Sequence, residues 1–338
     1  MTKAYKFEKL TGLAGLQQSS FEPETVGKGE VLVKVRAVAL NRRDLLIAEN
    51  NYPGKVKAGC IPCSDAAGEI VSIGPEVKNL KVGDRVISLF HPTWFGGRMP
   101  SDAGIRSYGN VNDGWLCEYK VVSENAVLSF PESLNWNEAA TLPCAGVTAW
   151  TALSGTTPIR AGDSVLTLGT GGVSIFAIQI ARKLGATIYS TTSSNHKGEQ
   201  LRKLGAVHII NYKEHDDWGN VVKERSHGIG VDRVVEVVGG DSVNQSLDAL
   251  RYGGEIALIG QLSPEGGGLD PAKIKARGAN LRSIAVGDKV AAQAFLDMVV
   301  ATHLKPVIDK VYSFNDVPAA FKALDESRHV GKIVISLD

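Results

Sequence analysis

From about Asp163 onward the chain alternates short β-branched runs with stretches of helical period, and this alternation narrows its possible folds more than any other feature. Ser164-Val-Leu-Thr-Leu is a short apolar strand. Val173, Phe176, Ala177, Ile180, Ala181 and Leu184 then recur at helical spacing, with Gly185 as the stop. Residues 186–192, 207–211, 231–238, 255–259 and 281–286 read as further strands. One intervening helix closes at Leu204 before Gly205. Another runs over 241–251, with Asp241 as its expected cap. Strands that alternate with helices imply a parallel sheet covered on both faces.

The first 125 residues have a different grammar. Glu30-Val-Leu-Val-Lys-Val-Arg-Ala-Val alternates apolar and polar side chains, the period of a half-buried strand. Residues 66–74, 83–89 and 117–122 repeat the pattern between Gly, Pro and Asp punctuation, while residues 91–114 read as a long loop. The tail from about Pro306 returns to strand-like writing and is expected to rejoin this β-rich part. The expected division is therefore 1–125 with 306–338 against 126–305. A chain of 338 residues is long enough for two cores.

A net charge of +1 favours neither nucleic acid nor an anionic membrane, and no apolar run approaches a bilayer's thickness. No secretory signal opens the sequence, and four cysteines in a chain of this size do not make a disulfide framework, so a cytoplasmic home is expected. Cys60-Ile-Pro-Cys63 has metal-like spacing, but no second pair completes a site, and two half-buried small residues are the simpler reading.

Gly169-Thr170-Gly171-Gly172-Val173-Ser174 sits between the first strand and first helix of the alternating region. Gly169 allows a tight turn, Gly171 lets the backbone approach a pyrophosphate, and the helix that follows offers free N–H groups and its positive end. The third glycine of a dinucleotide fingerprint is here Ser174, a position that governs packing and tolerates a small residue. After the second strand an NAD site places an acid on the ribose. This chain has Thr192, Ser193, Ser194 and Lys197 there instead, which suit a 2′-phosphate. NADPH is expected over NADH.

Several segments together resemble the medium-chain dehydrogenase/reductase superfamily over essentially the full length. They are Gly29-Glu-Val-Leu-Val-Lys-Val with Ala39-Leu-Asn41-Arg-Arg-Asp44, Asp65-Ala-Ala-Gly68-Glu-Ile-Val-Ser-Ile-Gly74, Lys81-Val-Gly83-Asp84-Arg-Val, residues 138–153, and Gly331-Lys332-Ile-Val. The resemblance implies a GroES-like catalytic domain joined to a Rossmann domain, with cofactor in the cleft and dimers or tetramers built through the Rossmann sheets. Zinc alcohol dehydrogenases use Cys, His and Cys ligands. At these positions the chain has Asn41, Ser64 and Cys144, and the cysteines of the structural zinc lobe are missing from 91–114. It looks closer to the zinc-free quinone oxidoreductases, which carry an Asn like Asn41, a Tyr-Pro like Tyr52-Pro53, and a lysine and tyrosine like Lys197 and Tyr212 for the 2′-phosphate. Its glycine loop departs from that branch's more usual A-x-x-G-G-V-G, and its 91–114 loop is longer.

The expected chemistry is hydride transfer to a quinone or α,β-unsaturated carbonyl, a small-molecule electrophile, with Asn41 and Tyr52 as donors to the substrate oxygen. His91, Trp94, Phe95 and Trp115 are candidate pocket residues, and Arg43 is expected to pair with Asp44. Two other readings stand beside this one. The first is alcohol or aldehyde chemistry at a metal held by Cys144 and a carboxylate such as Asp65. The second is a structural or regulatory NADPH-binding protein.

Overall fold

The computed structural model describes residues 1–104, 106–260 and 268–337. Two compact units emerge: Met1–Val147 with Gly287–Asp338, and Thr148–Val286.

In the first unit a hairpin pairs β1 (Thr2–Phe7) with β2 (Leu16–Phe21). The main sheet contains β3 (Glu30–Ala39), β4 (Asp65–Ile73), β5 (Arg85–Ser88), β6 (Tyr119–Ser123) and β7 (Val127–Ser129). The chain's last part adds β14 (Ile308–Ser313) and β15 (Lys332–Ser336). β3 is the hub. β4 lies antiparallel along one side, while β6 pairs with its first half and β15 with its second. Its side chains at Val31, Val33 and Val35 are buried and those between are half-buried, which is the period of two. They join Phe7, Ile70, Trp115 and Phe321 in one apolar core. Each such fully buried side chain contributes about 1.5–3 kcal/mol. Short helices α1 (Arg42–Ala48), α2 (Trp136–Ala140) and α10 (Val317–Asp325) attach to this frame.

The second unit opens with α3, which begins at the boundary (Val147–Ser154). Its sheet strands are β8 (Ser164–Leu168), β9 (Thr187–Thr192), β10 (His208–Asn211), β11 (Val231–Glu236), β12 (Leu250–Leu258) and β13 (Asn280–Ser283). They lie in the order β10-β9-β8-β11-β12-β13, every neighbouring pair parallel. The helices α4 (Gly172–Lys183), α5 (Asn195–Leu204), α6 (Trp218–Arg225), α7 (Ser242–Ala249) and α8 (Pro271–Arg277) connect them. The order reverses direction between β8 and β11, the switch point where a doubly wound sheet leaves a crevice at its carboxyl edge. Val165, Leu166, Val234 and Val235 at the centre are wholly buried, as continuous apolar strands covered on both faces must be. Arg182 and Lys183 end α4 where cations favour the helix dipole. The α/β class and its two architectures stand as expected.

The compact units divide elsewhere than at 125/126 and 305/306. β7 pairs with β5, so the chain remains in the first sheet beyond Ala126. Helix α9 (Lys289–Ala301) also packs on the first unit. Its Lys289 N–H donates to the Trp94 carbonyl at 3.0 Å, and Phe295 packs so tightly on Gly146 that a Cβ there would lie 2.4 Å from the ring. Asp241 does not cap α7: its backbone is helical and its side chain makes no capping bond. The buried Glu236 carboxylate serves that turn instead, accepting from Val238 N–H, Gly239 N–H, Ser242 Oγ and Ser246 Oγ. Leu250 and Arg251, read as the end of that helix, begin β12. No helix among the described residues is long and apolar enough to cross a membrane.

Candidate active site

In the second unit, β8 stops at Leu168 and the chain turns sharply. Gly169 has φ +72°, a conformation in which an L side chain is strained. Gly171, the residue before α4, differs. Its φ of −72° is ordinary, no described side chain caps the helix, and a Cβ on it would meet no described atom within 4 Å beyond its chain neighbours. Among the described residues nothing requires glycine there. Its bareness leaves space directly over the N–H groups of Gly172 and Val173, which no carbonyl of the helix can reach. Ser174 is buried, and its hydroxyl donates to the Leu168 carbonyl at 2.6 Å, tying helix start to strand end. The turn thus fits a dinucleotide's diphosphate, an anion that needs main-chain donors and no side chain in the way.

The neighbouring strand ends meet this turn. Gly169 N–H donates to the Thr191 carbonyl and Tyr212 N–H to the Thr192 carbonyl, both at 3.0 Å. Residues 169–171, the end of β9 and Tyr212 therefore share one edge of the sheet. Thr170 and Thr192 are buried, Ser193 and Ser194 half-buried, and Tyr212 is 41% exposed. Two of the hydroxyls are locally engaged. Thr192 Oγ bonds within the turn to Ser194, and Ser194 Oγ caps α5 by accepting from Lys197 N–H at 3.3 Å. Sequence reasoning missed Glu214, whose carboxylate accepts from Asn195 Nδ2 at 3.0 Å and Asn211 Nδ2 at 2.7 Å, just after β10.

A second group of polar side chains is buried inside the first unit. Asn41 precedes α1, and its N–H donates to Asp44 Oδ2 at 2.8 Å. Its Oδ1 accepts from Lys332 Nζ at 2.6 Å, and the same ammonium donates to the Leu40 carbonyl at 2.5 Å. Asn41 Nδ2 is buried and makes no hydrogen bond of good geometry, and the amide lies beside Asp65, whose ionised form it favours. Asp65 accepts from Ser64 Oγ at 2.6 Å and from Cys144 N–H at 3.1 Å. Burial raises its carboxyl, and Lys332 is the strongest influence in the other direction. Burial pushes the Asp44 carboxyl up to about 6 against the pull of Arg43, 3.9 Å away as expected of that pair.

Arg43 itself is buried. It donates to the Tyr108 carbonyl at 2.7 Å and Ser107 Oγ at 3.2 Å, and lies 4.8 Å from the Tyr52 ring and 4.9 Å from that of Phe90. Tyr52 is thus packed on a cation, its ring face turned to the guanidinium. His91 is buried with Nδ1 3.1 Å from the Ala103 carbonyl, and Trp115 lies in the unit's core against Tyr108. Phe95 lines an open surface hollow with Leu128 and Val290. All four cysteines are free.

Could zinc be held here? The amide oxygen of Asn41 already faces an ammonium and the Ser64 hydroxyl is committed to Asp65. Only the Cys144 thiol and the Asp65 carboxylate remain as ligands, fewer than the three protein ligands a catalytic zinc takes. These residues do not suit a catalytic zinc. Among the described residues no group of three His, Cys, Asp or Glu is placed to hold a metal. Cys144 lies in a single π-helical turn, Leu142–Gly146, a distortion often found at functional positions.

Comparison with known proteins agrees with this architecture. The family model described as alcohol dehydrogenase GroES-like domain matches residues 27–132, and that described as zinc-binding dehydrogenase matches 172–301. A zinc-type alcohol dehydrogenase-like protein of Schizosaccharomyces pombe is 37% identical over 98% of each chain. The crystal structure of a putative alcohol dehydrogenase from Sinorhizobium meliloti superposes with a TM-score of 0.92 at 35% identity, covering 99% of this chain and 98% of that one. A quinone oxidoreductase of Pseudomonas syringae superposes at 0.83 and 26% identity over the whole of both chains.

Proposed function

The chain belongs to the medium-chain dehydrogenase/reductase family of oxidoreductases, and on that premise we propose that it is a zinc-independent, NADPH-dependent reductase of quinones or α,β-unsaturated carbonyl compounds. The single observation that carries the reading is the pairing of Asn41 with Lys332, where a zinc enzyme would have a thiolate and a metal. The similarity to a quinone oxidoreductase supports the same substrate class.

When bound, the dinucleotide supplies the hydride. The main chain at Gly171, Gly172 and Val173 holds the diphosphate. Lys197 and the Tyr212 hydroxyl take the 2′-phosphate, with Thr192, Ser193 and Ser194 shaping the turn around it; the end of β9 carries no acid that would repel it. As negative charge builds on the substrate oxygen, Asn41 Nδ2 and the Tyr52 hydroxyl donate to it, which lowers the barrier. Tyr52 or water delivers the final proton. Dimers or tetramers through the second unit belong to the same reading, since among the described residues β13 has a strand neighbour on one side only.

Purified protein should oxidise NADPH with menadione or cinnamaldehyde without added metal, and a chelator should leave the rate unchanged. Asn41→Ala should lower kcat by about 100-fold, the effect of removing one oxyanion donor. Unchanged turnover in both Asn41→Ala and Tyr52→Phe would remove these side chains from the reaction. A second reading, alcohol oxidation at a metal, is favoured by the name of the yeast relative. Stoichiometric zinc by elemental analysis, with activity lost on chelation, would establish it in place of the first.

A further inference from the structure

Buried amides rarely leave a donor without an acceptor, because an unpaired N–H away from water costs about 1–3 kcal/mol. Asn41 does so: 9% of its surface is exposed, yet Nδ2 makes no hydrogen bond of good geometry, the amide only favouring the ionised Asp65 carboxylate beside it. The cause lies on the other side of the amide. An ammonium has three protons and no lone pair. Lys332, only 3% exposed, brings its Nζ to 2.6 Å from Asn41, so the atom facing it must be the carbonyl oxygen. The alternative rotation would set NH2 against NH3⁺. A second bond from Nζ to the Leu40 carbonyl at 2.5 Å prevents the ammonium from swinging aside. Both bonds belong to one β-sheet neighbourhood, since β15 pairs with the second half of β3 just before Asn41.

We propose that Lys332 is a positioning residue, which locks the Asn41 side chain with its donor edge turned from the ammonium and thereby presents Nδ2 to the substrate oxygen. This rests on the reading of Asn41 as a donor in the reaction. The geometry explains why an amide can serve where the zinc enzymes have a metal. A free-turning amide offers donor and acceptor edges to a developing negative charge, and only one of them stabilises it. The ammonium settles that choice before substrate arrives, so no reorientation is needed as charge develops.

The test is a double-mutant cycle with the full chain. Asn41→Ala, Lys332→Met and the double variant are assayed with NADPH and menadione, with rates per nucleotide-binding site found by titration. Asn41→Ala and Lys332→Met should each reduce kcat by about 100-fold. The double variant should be no slower than either, because Lys332 acts only through Asn41. The NADPH KM should stay within about twofold of wild type, and Lys332→Arg, which keeps a donor to both oxygens, should recover at least a third of kcat. A folded Lys332→Met of normal kcat beside a slow Asn41→Ala overturns the role of Lys332 and leaves Asn41 standing. Losses that multiply in the double variant also overturn it. Normal kcat in Asn41→Ala overturns the reading of Asn41 itself, leaving its donor edge to Asp65. If Lys332→Met does not fold, Asn41→Asp and Lys332→Arg decide the matter. The carboxylate keeps the bond to Lys332 but has no proton to offer, so it should be as slow as Asn41→Ala. Wild-type rates in Asn41→Asp, or an Arg variant as slow as Asn41→Ala, overturn the proposal.

Discussion

The glycine turn after β8 and the buried polar group around Asn41 are built on opposite principles. The turn consists of main chain, takes its residues from one short segment, and works because side chains are missing. The Asn41 group consists of side chains, draws on residues 41–44, 64–65, 144 and 332, and works because each one restrains another. A backbone site can be occupied or blocked without disturbing the core. A side-chain cluster cannot be altered at one member without leaving a neighbour unsatisfied.

The largest expected effect strikes the turn. Gly171→Val should leave thermal stability nearly unchanged, since among the described residues its Cβ meets no atom within 4 Å beyond its chain neighbours and its φ is ordinary. Its NADPH affinity should fall by about 100-fold, equivalent to roughly 2.7 kcal/mol of lost diphosphate contacts, as measured by calorimetry. A variant that binds normally would show that the space above this turn is not the diphosphate site. Next comes the edge shared with β9 and β10. Lys197→Ala should weaken NADPH about tenfold while leaving NADH unchanged, the mark of one lost charge-assisted bond. Equal losses for both nucleotides would separate Lys197 from the 2′-phosphate.

The smallest effect tests the side-chain cluster. Folding raises the Asp44 carboxyl from 3.8 to about 6, so between those values the native state holds a proton that the unfolded chain releases. Stability should therefore fall as pH rises from about 4 to about 6. Asp44→Asn should lose that dependence, as read by denaturant titration at each pH. A wild-type profile that instead rises with pH would mean that Arg43 outweighs burial at this carboxylate.

How legible each region was in the sequence follows from the same contrast. Strand, turn and helix around Gly169 are adjacent along the chain, so periodicity and glycine spacing located them with little error. The parallel direction of the strands followed from the pattern of alternation, but their order in the sheet did not. Asn41 and Tyr52 were singled out through the family resemblance, but their partners were not. The bond from Asn41 to Lys332 joins positions 291 apart, and nothing local in Gly331-Lys332-Ile-Val marks that lysine as buried. Arg43 reads in the sequence only as a partner of Asp44, because its cover, Tyr52, Phe90, Ser107 and Tyr108, comes from separate segments. The Asp241 cap failed for a related reason: the carboxylate that serves that helix start stands at the end of the preceding strand. Helix α9 was missed because its apolar face is turned to residues around Gly146, more than a hundred positions earlier.

The pairing of β15 with β3 has a consequence for the order of assembly. A bond that spans 291 positions cannot close until nearly the whole polypeptide is available, and contacts so remote in sequence form slowly because a large loop must first be closed. The glycine turn and its sheet have no such wait. During refolding, nucleotide binding should therefore return ahead of turnover, with the last strand to dock acting as the step that switches chemistry on.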